Sequence, residues 1–374
     1  MRLGRFVVDG HIHAGKKDSA KAGSRTTGTF SEVESYDNSD QILYDMDAYD
    51  IQIGILLPSF TGTTNEMYGS IVKHHPSRFR TCAVDTQTRL NAQRGIKAWN
   101  LNDALKELDD VLSREPDIFV GIGENCPGSM GVLRERPTRM ERYKELCATA
   151  ELAVAHDVPM FFHEFNSFCM DEPFTMLGNV CSKYPDFKVI IAHGGGYKAY
   201  EIEKTCCLAE YHEHIYLETG YWKAEYYEYA LKNYHVTARK LIWGGGDTGS
   251  RLWYPQATMP GAKLVESQGR VYNNRNNWRG TQREAEYQPD FYGWSTHQIH
   301  RLKDLELCTQ DEINLIVGGN AAKLYKLPVP PAVTFCSGRP DLNIPYKDDD
   351  RKDKQAFPWP EDIDFIPDTQ PFYG

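Results

Sequence analysis

The sequence lacks any hydrophobic run of the roughly 18 residues that a membrane-spanning helix needs. It also leaves little room for a signal peptide, because an apolar strand pattern begins at Phe6. The nine cysteines include no Cys-x-x-Cys pair, and an odd number does not suit a disulfide framework. We therefore expect free thiols and a cytoplasmic protein, since reducing compartments keep cysteines unpaired.

Positive charge is in the minority, with 42 lysines and arginines against 52 aspartates and glutamates and a formal net charge of −10. A chain of this sign is repelled by phosphate backbones and anionic lipids, so we expect neither nucleic acid nor a membrane as a partner. The hydrophobic fraction of 41% and the charged fraction of 25% are instead typical of a globular protein. A small-molecule substrate is the expected partner, and a homodimer is left open.

Short apolar segments rich in β-branched residues alternate along the chain with longer segments of helical periodicity. The predicted strands are Arg5–Asp9, Ile53–Pro58, Phe79–Val84, Ile118–Gly123, Pro159–His163, Phe187–His193, Ile215–Glu218 and Lys240–Gly244. This alternation predicts βαβ units and a parallel sheet, and eight such units are the size of a (β/α)8 TIM barrel. A doubly wound open sheet is the alternative, but the glycines near strand four lack the spacing of a dinucleotide-binding turn.

Two segments fall outside the repeating pattern. Residues 248–295 follow the eighth strand and are rich in Trp, Tyr, Asn and Arg, which predicts a lid-like insertion. Residues 327–374 are dense in proline and acidic side chains, and the prolines exclude long helices there. The predicted organisation is therefore one barrel domain over residues 1–326, including the insertion, and an extended C-terminal arm that either packs on a surface or is solvated.

Side chains of the types that bind metals stand at the ends of five predicted strands. His11 and His13 are two residues apart, and such side chains point to the same side of an extended strand. In a barrel the carboxyl ends of the strands form the active-site face. Imidazole and carboxylate groups suit Zn²⁺, Fe²⁺ or Mn²⁺. The pattern predicts a metal site made from His11, His13, Glu124, His163, His193 and Asp247.

The segments around these residues resemble the amidohydrolase superfamily, and within it the amidohydrolase-related branch of the aminocarboxymuconate-semialdehyde decarboxylase type. The resemblance runs from about residue 7 to residue 327 and rests on residues 9–13, 162–163, 184–195 and 246–247. It implies a (β/α)8 barrel with one or two divalent metal ions, zinc first and iron or manganese as alternatives. It also implies that His11, His13, His163 and Asp247 bind metal, and that His193 is either a ligand of a second ion or the catalytic acid/base.

Glu124 decides how many ions we expect. In family members with two metals, a carboxylate or a carboxylated lysine on strand four often bridges the ions, and Glu124 stands at that place in the sequence. Bridging is therefore our expectation. The alternative is that Glu124 forms a hydrogen bond with a neighbouring loop or supports a ligand from behind.

The expected function is metal-dependent hydrolysis of a small carboxylate, ester, thioester or amide of aromatic or apolar character. In this scheme a metal-activated water attacks, Asp247 moves its proton, and His193 polarises the scissile carbonyl if it does not bind metal. The alternative, given by the resembled branch, is non-oxidative decarboxylation of an aromatic or unsaturated acid, with His193 or Asp247 protonating carbon. A third reading, a metal-stabilised scaffold, does not explain why six ligand-type residues gather at one face.

Overall fold

The structure, a computed structural model, describes most of the barrel and the chain just after it. It describes residues 3–4, 6–14, 16–17, 35–37, 39–58, 64–125, 138–163, 171–195, 199–234, 236–245, 291–331, 333 and 335.

Eight strands form one sheet in which each strand pairs in parallel with the next one along the chain. This is the predicted (β/α)8 barrel, and the open-sheet alternative is wrong. The strands are β1 (Val8–Ile12), β2 (Ile53–Leu56), β3 (Phe79–Ala83), β4 (Phe119–Asn125), β5 (Met160–Phe162), β6 (Val189–Ile191), β7 (Ile215–Glu218) and β8 (Leu241–Ile242).

The first and last strands meet at Gly10. Its backbone N–H donates to the Trp243 carbonyl at 3.0 Å. A Cβ atom at this position would lie 2.8 Å from the Ile242 side chain, which is closer than packed atoms allow. Glycine therefore permits β1 to approach the end of β8, and this approach brings the barrel near to closure.

Helices follow the strands and cover the outside of the sheet. They are α1 (Ser39–Ala48), α2 (Asn65–His74), α3 (Thr86–Gln93), α4 (Leu101–Arg114), α5 (Arg139–Ala155), α6 (Asp171–Lys183), α7 (Ala199–Tyr211), α8 (Ala224–Asn233), α9 (Phe291–Asp304), α10 (Gln310–Asn314) and α11 (Asn320–Leu324). Side-chain hydrogen bonds to the backbone fix the first residue of some of these helices. Thr138 and Glu141 form a capping box at α5, in which each side chain accepts the other residue's backbone N–H.

Alternate residues of the strands enter two hydrophobic layers, as the twofold repeat of a strand requires. Ile55, Phe161 and Ile190 belong to a cluster inside the barrel. Their neighbours in sequence, such as Leu56, Phe162 and Ile191, pack in the larger cluster that contains the helix side chains. The strands are thus buried on both faces, which explains their nearly continuous apolar sequence.

The chain after α11 returns to the amino-terminal end of the barrel. Phe335 is buried, and its ring meets the ring of Phe6 edge-on with centroids 6.3 Å apart. The remainder of the predicted arm, residues 336–374, lies outside the described residues. The division of the chain at residue 327 therefore stays a prediction.

Two boundaries differ from the sequence prediction. The first strand is Val8–Ile12 rather than Arg5–Asp9, because the polar residues from Asp9 onward also pair in parallel with β2, Ile12 with Leu56. Residues 291–295, which we assigned to the lid-like insertion, form the first turns of α9. The rest of that insertion, 248–290, lies outside the described residues.

The six cysteines in the described part of the chain are free thiols, as expected, and five of them are buried. Burial raises the pKa of Cys181 to about 12, so this thiol stays protonated at neutral pH. No helix within the ranges given above is long and apolar enough to cross a membrane.

Candidate metal centre

The two histidines of β1 lie side by side at its carboxyl end. Their Nε2 atoms are 3.2 Å apart, and both side chains are buried. Two nitrogen ligands at about 2.0–2.1 Å from one tetrahedral ion are separated by about 3.3 Å. The spacing of His11 and His13 therefore suits two ligands of a single ion.

The opposite ring nitrogens of these histidines are held by acceptors. His11 Nδ1 lies 3.1 Å from Glu218 Oε2, and His13 Nδ1 lies 2.9 Å from the Leu57 carbonyl. A carbonyl oxygen only accepts, so we assign the His13 proton to Nδ1, and by the same argument the His11 proton. Both Nε2 atoms then present lone pairs to the space between them, as metal-binding imidazoles require.

Glu124, the sixth residue of β4, reaches the same space. Its Oε1 is 3.6 Å from His11 Nε2 and 3.5 Å from His163 Nε2, and its Oε2 is 3.6 Å from His13 Nε2. The carboxylate is 2% exposed. Gly123 makes its approach feasible, since a Cβ at that residue would lie 2.7 Å from the Phe161 Cβ. The carboxylate thus stands at the centre of the histidine cluster.

His163 and His193 follow β5 and β6 and complete the cluster from the other side. Their rings meet edge-on with centroids 5.1 Å apart, and the His193 ring also stacks on the His11 ring at 4.9 Å. His193 lies in the left-handed region, with φ 52° and ψ 23°, where a residue with a side chain is strained. Trp222 stabilises this conformation by donating its indole N–H to the His193 carbonyl at 2.9 Å.

Glu218, the last residue of β7, is a buried member of the site that our sequence reasoning missed. Its Oε2 contacts His11 Nδ1 and accepts the His193 backbone N–H at 2.8 Å. The signal was available, because Ile215–Glu218 was a predicted strand and a carboxylate at a strand end meets the rule applied to Glu124.

The donors form three overlapping groups whose ligand atoms lie within 4.8 Å of one another. The groups are His11–His13–Glu124, Glu124–His163–His193 and His11–His193–Glu218. Glu124 belongs to the first two, so one carboxylate lies between two sets of imidazoles. Buried imidazoles around a carboxylate have the composition of a divalent metal site and fit the ion that the sequence predicts.

Asp9 supports this end of the barrel without facing the cluster. Its carboxylate accepts hydrogen bonds from the Tyr292 hydroxyl at 2.7 Å and from the backbone N–H groups of His11 and Gly245, both at 3.0 Å. Burial raises the pKa of Asp9 to about 7, and these hydrogen bonds oppose the rise. Asp9 therefore ties β1 to α9 and to the segment after β8.

The structure brings together five of the six predicted site residues, namely His11, His13, Glu124, His163 and His193. Asp247 lies outside the described residues, two positions beyond Gly245. Its role as metal ligand and proton carrier stays a prediction, and so do the individual roles of the other five.

A (β/α)8 barrel with histidines and carboxylates at the carboxyl ends of its strands defines a class of enzymes, and comparison by sequence identifies the family. The amidohydrolase family profile matches residues 8–327. The chain belongs to this family, as the resemblance implied. Among curated proteins, none matches the sequence.

Solved structures share the fold at low sequence identity. A probable 2-pyrone-4,6-dicarboxylic acid hydrolase from Acinetobacter baumannii, with citric acid bound, has a TM-score of 0.52 and 16% identity, covering 86% of this chain and 99% of that one. A zinc-bound amidohydrolase from Burkholderia multivorans has a TM-score of 0.51 and 11% identity, covering 86% of this chain and 100% of that one. A lactonase from Listeria monocytogenes has a TM-score of 0.51 and 10% identity, covering 87% of this chain and 96% of that one. At these identities the likenesses show the shared fold alone.

Proposed function

We propose that this protein is a metal-dependent hydrolase with two divalent ions in its barrel. The observation that supports two ions is the position of Glu124, which is shared between a group with His11 and His13 and a group with His163 and His193. A bridging carboxylate is the simplest reason for burying one anion between two pairs of imidazoles. Zinc is the ion we propose, since tetrahedral sites of nitrogen and carboxylate ligands suit it, with iron and manganese as alternatives.

The residues divide the work as follows. His11, His13 and Asp247 would hold the first ion. His163 and His193 would hold the second ion, and Glu124 would bind both. Divalent ions held there would supply a nucleophile at neutral pH, since a bound ion lowers the pKa of a coordinated water toward about 7. Asp247 takes the proton of the attacking water and delivers it to the leaving group. The buried cluster excludes bulk water from the reacting atoms, which strengthens each electrostatic contact there.

The substrate we propose is a small carboxylate, ester, thioester or amide of aromatic or apolar character. Neither nucleic acid nor a membrane is proposed as a partner, because the chain carries a net charge of −10. We propose a cytoplasmic location because the cysteines in the described part of the chain are free thiols. A homodimer stays an open alternative.

A panel of substrates tests the reaction class. The protein is stripped with a chelator, reconstituted with zinc, iron or manganese, and assayed on aryl esters, thioesters, amides and a lactone, the last because a lactonase shares the fold. We expect hydrolysis that is absent without metal and is fully restored only after about two equivalents of ion. The same preparations are assayed for CO₂ release from aromatic and unsaturated acids. CO₂ release without hydrolysis, supported by a single ion, would show a decarboxylase instead.

A further inference from the structure

Glu218 is buried behind the cluster rather than inside it. It is fully buried at the end of β7, and its two oxygens meet two backbone N–H groups and the Nδ1 atoms of His11 and His193, the latter at 3.5 Å. Oε1 accepts the backbone N–H of Gly220, while Oε2 accepts the backbone N–H of His193 at 2.8 Å and faces His11 Nδ1 at 3.1 Å. Gly244 leaves the room for it, because a Cβ there would overlap the carboxylate.

These contacts decide between two roles for the group His11–His193–Glu218. A third ion in this group would need Glu218 Oε2, whose two lone pairs already accept the His193 backbone N–H and face His11 Nδ1. It would also need the His11 nitrogen opposite to the one that faces His13 and Glu124. The group is therefore built to hold a proton and a backbone turn, not a cation.

We propose that Glu218 is a positioning residue that keeps the proton of His11 on Nδ1 and so turns the Nε2 lone pair toward the ion site. Through the His193 N–H it also fixes the left-handed turn that carries the His193 ring. One carboxylate thus sets the orientation of two histidines, one from each of the two ion sites. This inference rests on the proposed function, because the His11 proton position matters only if His11 binds an ion. The position of the proton itself can be tested in metal-free protein.

Two substitutions test whether Glu218 acts as a hydrogen-bond acceptor, because both remove its charge and only one removes its acceptor oxygens. Glu218→Met keeps the length but removes both oxygens, and the Glu124 carboxylate, 3.6 Å from His11 Nε2, is then an acceptor within reach of the ring. The His11 proton is expected to move to Nε2, where it blocks metal binding. Glu218→Gln keeps one oxygen that can take the place of Oε2, and so it should rescue the original proton position.

The matched control is Glu107, a partly buried carboxylate on α4 that accepts two backbone N–H groups and belongs to none of the three donor groups. Its oxygens accept from Gln87 N and Thr88 N, each at 2.8 Å. Glu107→Met therefore removes a comparable set of hydrogen bonds. It should lower the unfolding temperature as Glu218→Met does, without changing His11 or metal affinity.

The experiment is ¹⁵N NMR of histidine-labelled, metal-free protein, with the His11 signals assigned by their loss in His11→Asn. Wild type and Glu218→Gln should show the proton on Nδ1, and Glu218→Met should show it on Nε2. Zinc affinity, measured by competition with a chelator, should fall about 10- to 100-fold in Glu218→Met. A wild-type proton on Nε2, or a Glu218→Met protein with an unchanged proton position and affinity, would overturn the proposal.

The two failures are distinguishable. If wild type binds no divalent ion, the proposed function fails, while the NMR spectrum still reports whether Glu218 sets the His11 proton. If Glu218→Met does not fold, the wild-type spectrum alone decides, because it needs no variant at residue 218.

Discussion

Replacing His11 with Ala should abolish metal binding at the first ion site and reduce hydrolysis by about 10³-fold or more. The reason is that His11 supplies one of two adjacent nitrogens, 3.2 Å apart, that we assign to the same ion. A bound ion contributes several kcal/mol of transition-state stabilisation, and each 1.4 kcal/mol is about a tenfold change in rate. Metal content by elemental analysis and kcat/KM on the best substrate of the panel measure the two effects.

The control for His11 is His74, an exposed histidine on α2 whose Nδ1 lies 2.8 Å from the Ser70 carbonyl one turn earlier. His74→Ala should keep wild-type metal content and activity. A His11→Ala protein that folds, retains its full complement of ions and turns over at the wild-type rate would remove His11 from the site.

Replacing Glu124 with Gln should lower the metal content from two ions to one per chain. An amide has one acceptor oxygen and no charge, so it cannot join two cations as a carboxylate does. Hydrolysis should fall about 10²- to 10³-fold, which corresponds to about 3–4 kcal/mol. Isothermal titration of the stripped protein with zinc gives the number of sites, and steady-state kinetics gives the rate.

Glu107→Gln is the matched control for this change, since it makes the same chemical substitution at a partly buried carboxylate outside the site. It should leave two ions and the rate unchanged. Two ions in Glu124→Gln, with an unaltered rate, would assign Glu124 to hydrogen bonding with its surroundings and leave the two histidine groups without a bridge.

Most of the fold could be predicted from the sequence because parallel barrel strands are buried on both faces. Apolar segments such as Val189–Ile191 and Met160–Phe162 therefore stand out in the sequence. The start and end of β1 were not readable, since Asp9, Gly10 and His11 interrupt the apolar pattern and join the strand only through pairing with β2. Pairing partners lie far away in sequence and leave no local mark.

Part of the candidate site could also be predicted from the sequence, because strand geometry fixes which side chains share a face. The spacing of His11 and His13 follows directly from strand geometry, and the structure places both rings where that geometry predicts. The burial of Glu218 depends on the space beside Gly244 and on the backbone N–H of His193, which only the folded sheet brings next to the end of β7. Tyr292 likewise lies in the segment that we assigned to a lid-like insertion, but its hydroxyl donates to Asp9 inside the fold.

The central claim is that Glu124 lies between two ions, and diffraction from zinc-reconstituted crystals, measured above and below the zinc absorption edge, tests it most directly. The account predicts two anomalous peaks about 3.5–4 Å apart, as in other two-metal sites, with the Glu124 carboxylate between them. His11 and His13 should contact one peak, and His163 and His193 the other. A single peak held by His11, His13 and His163, with Glu124 and His193 away from it, would contradict the account.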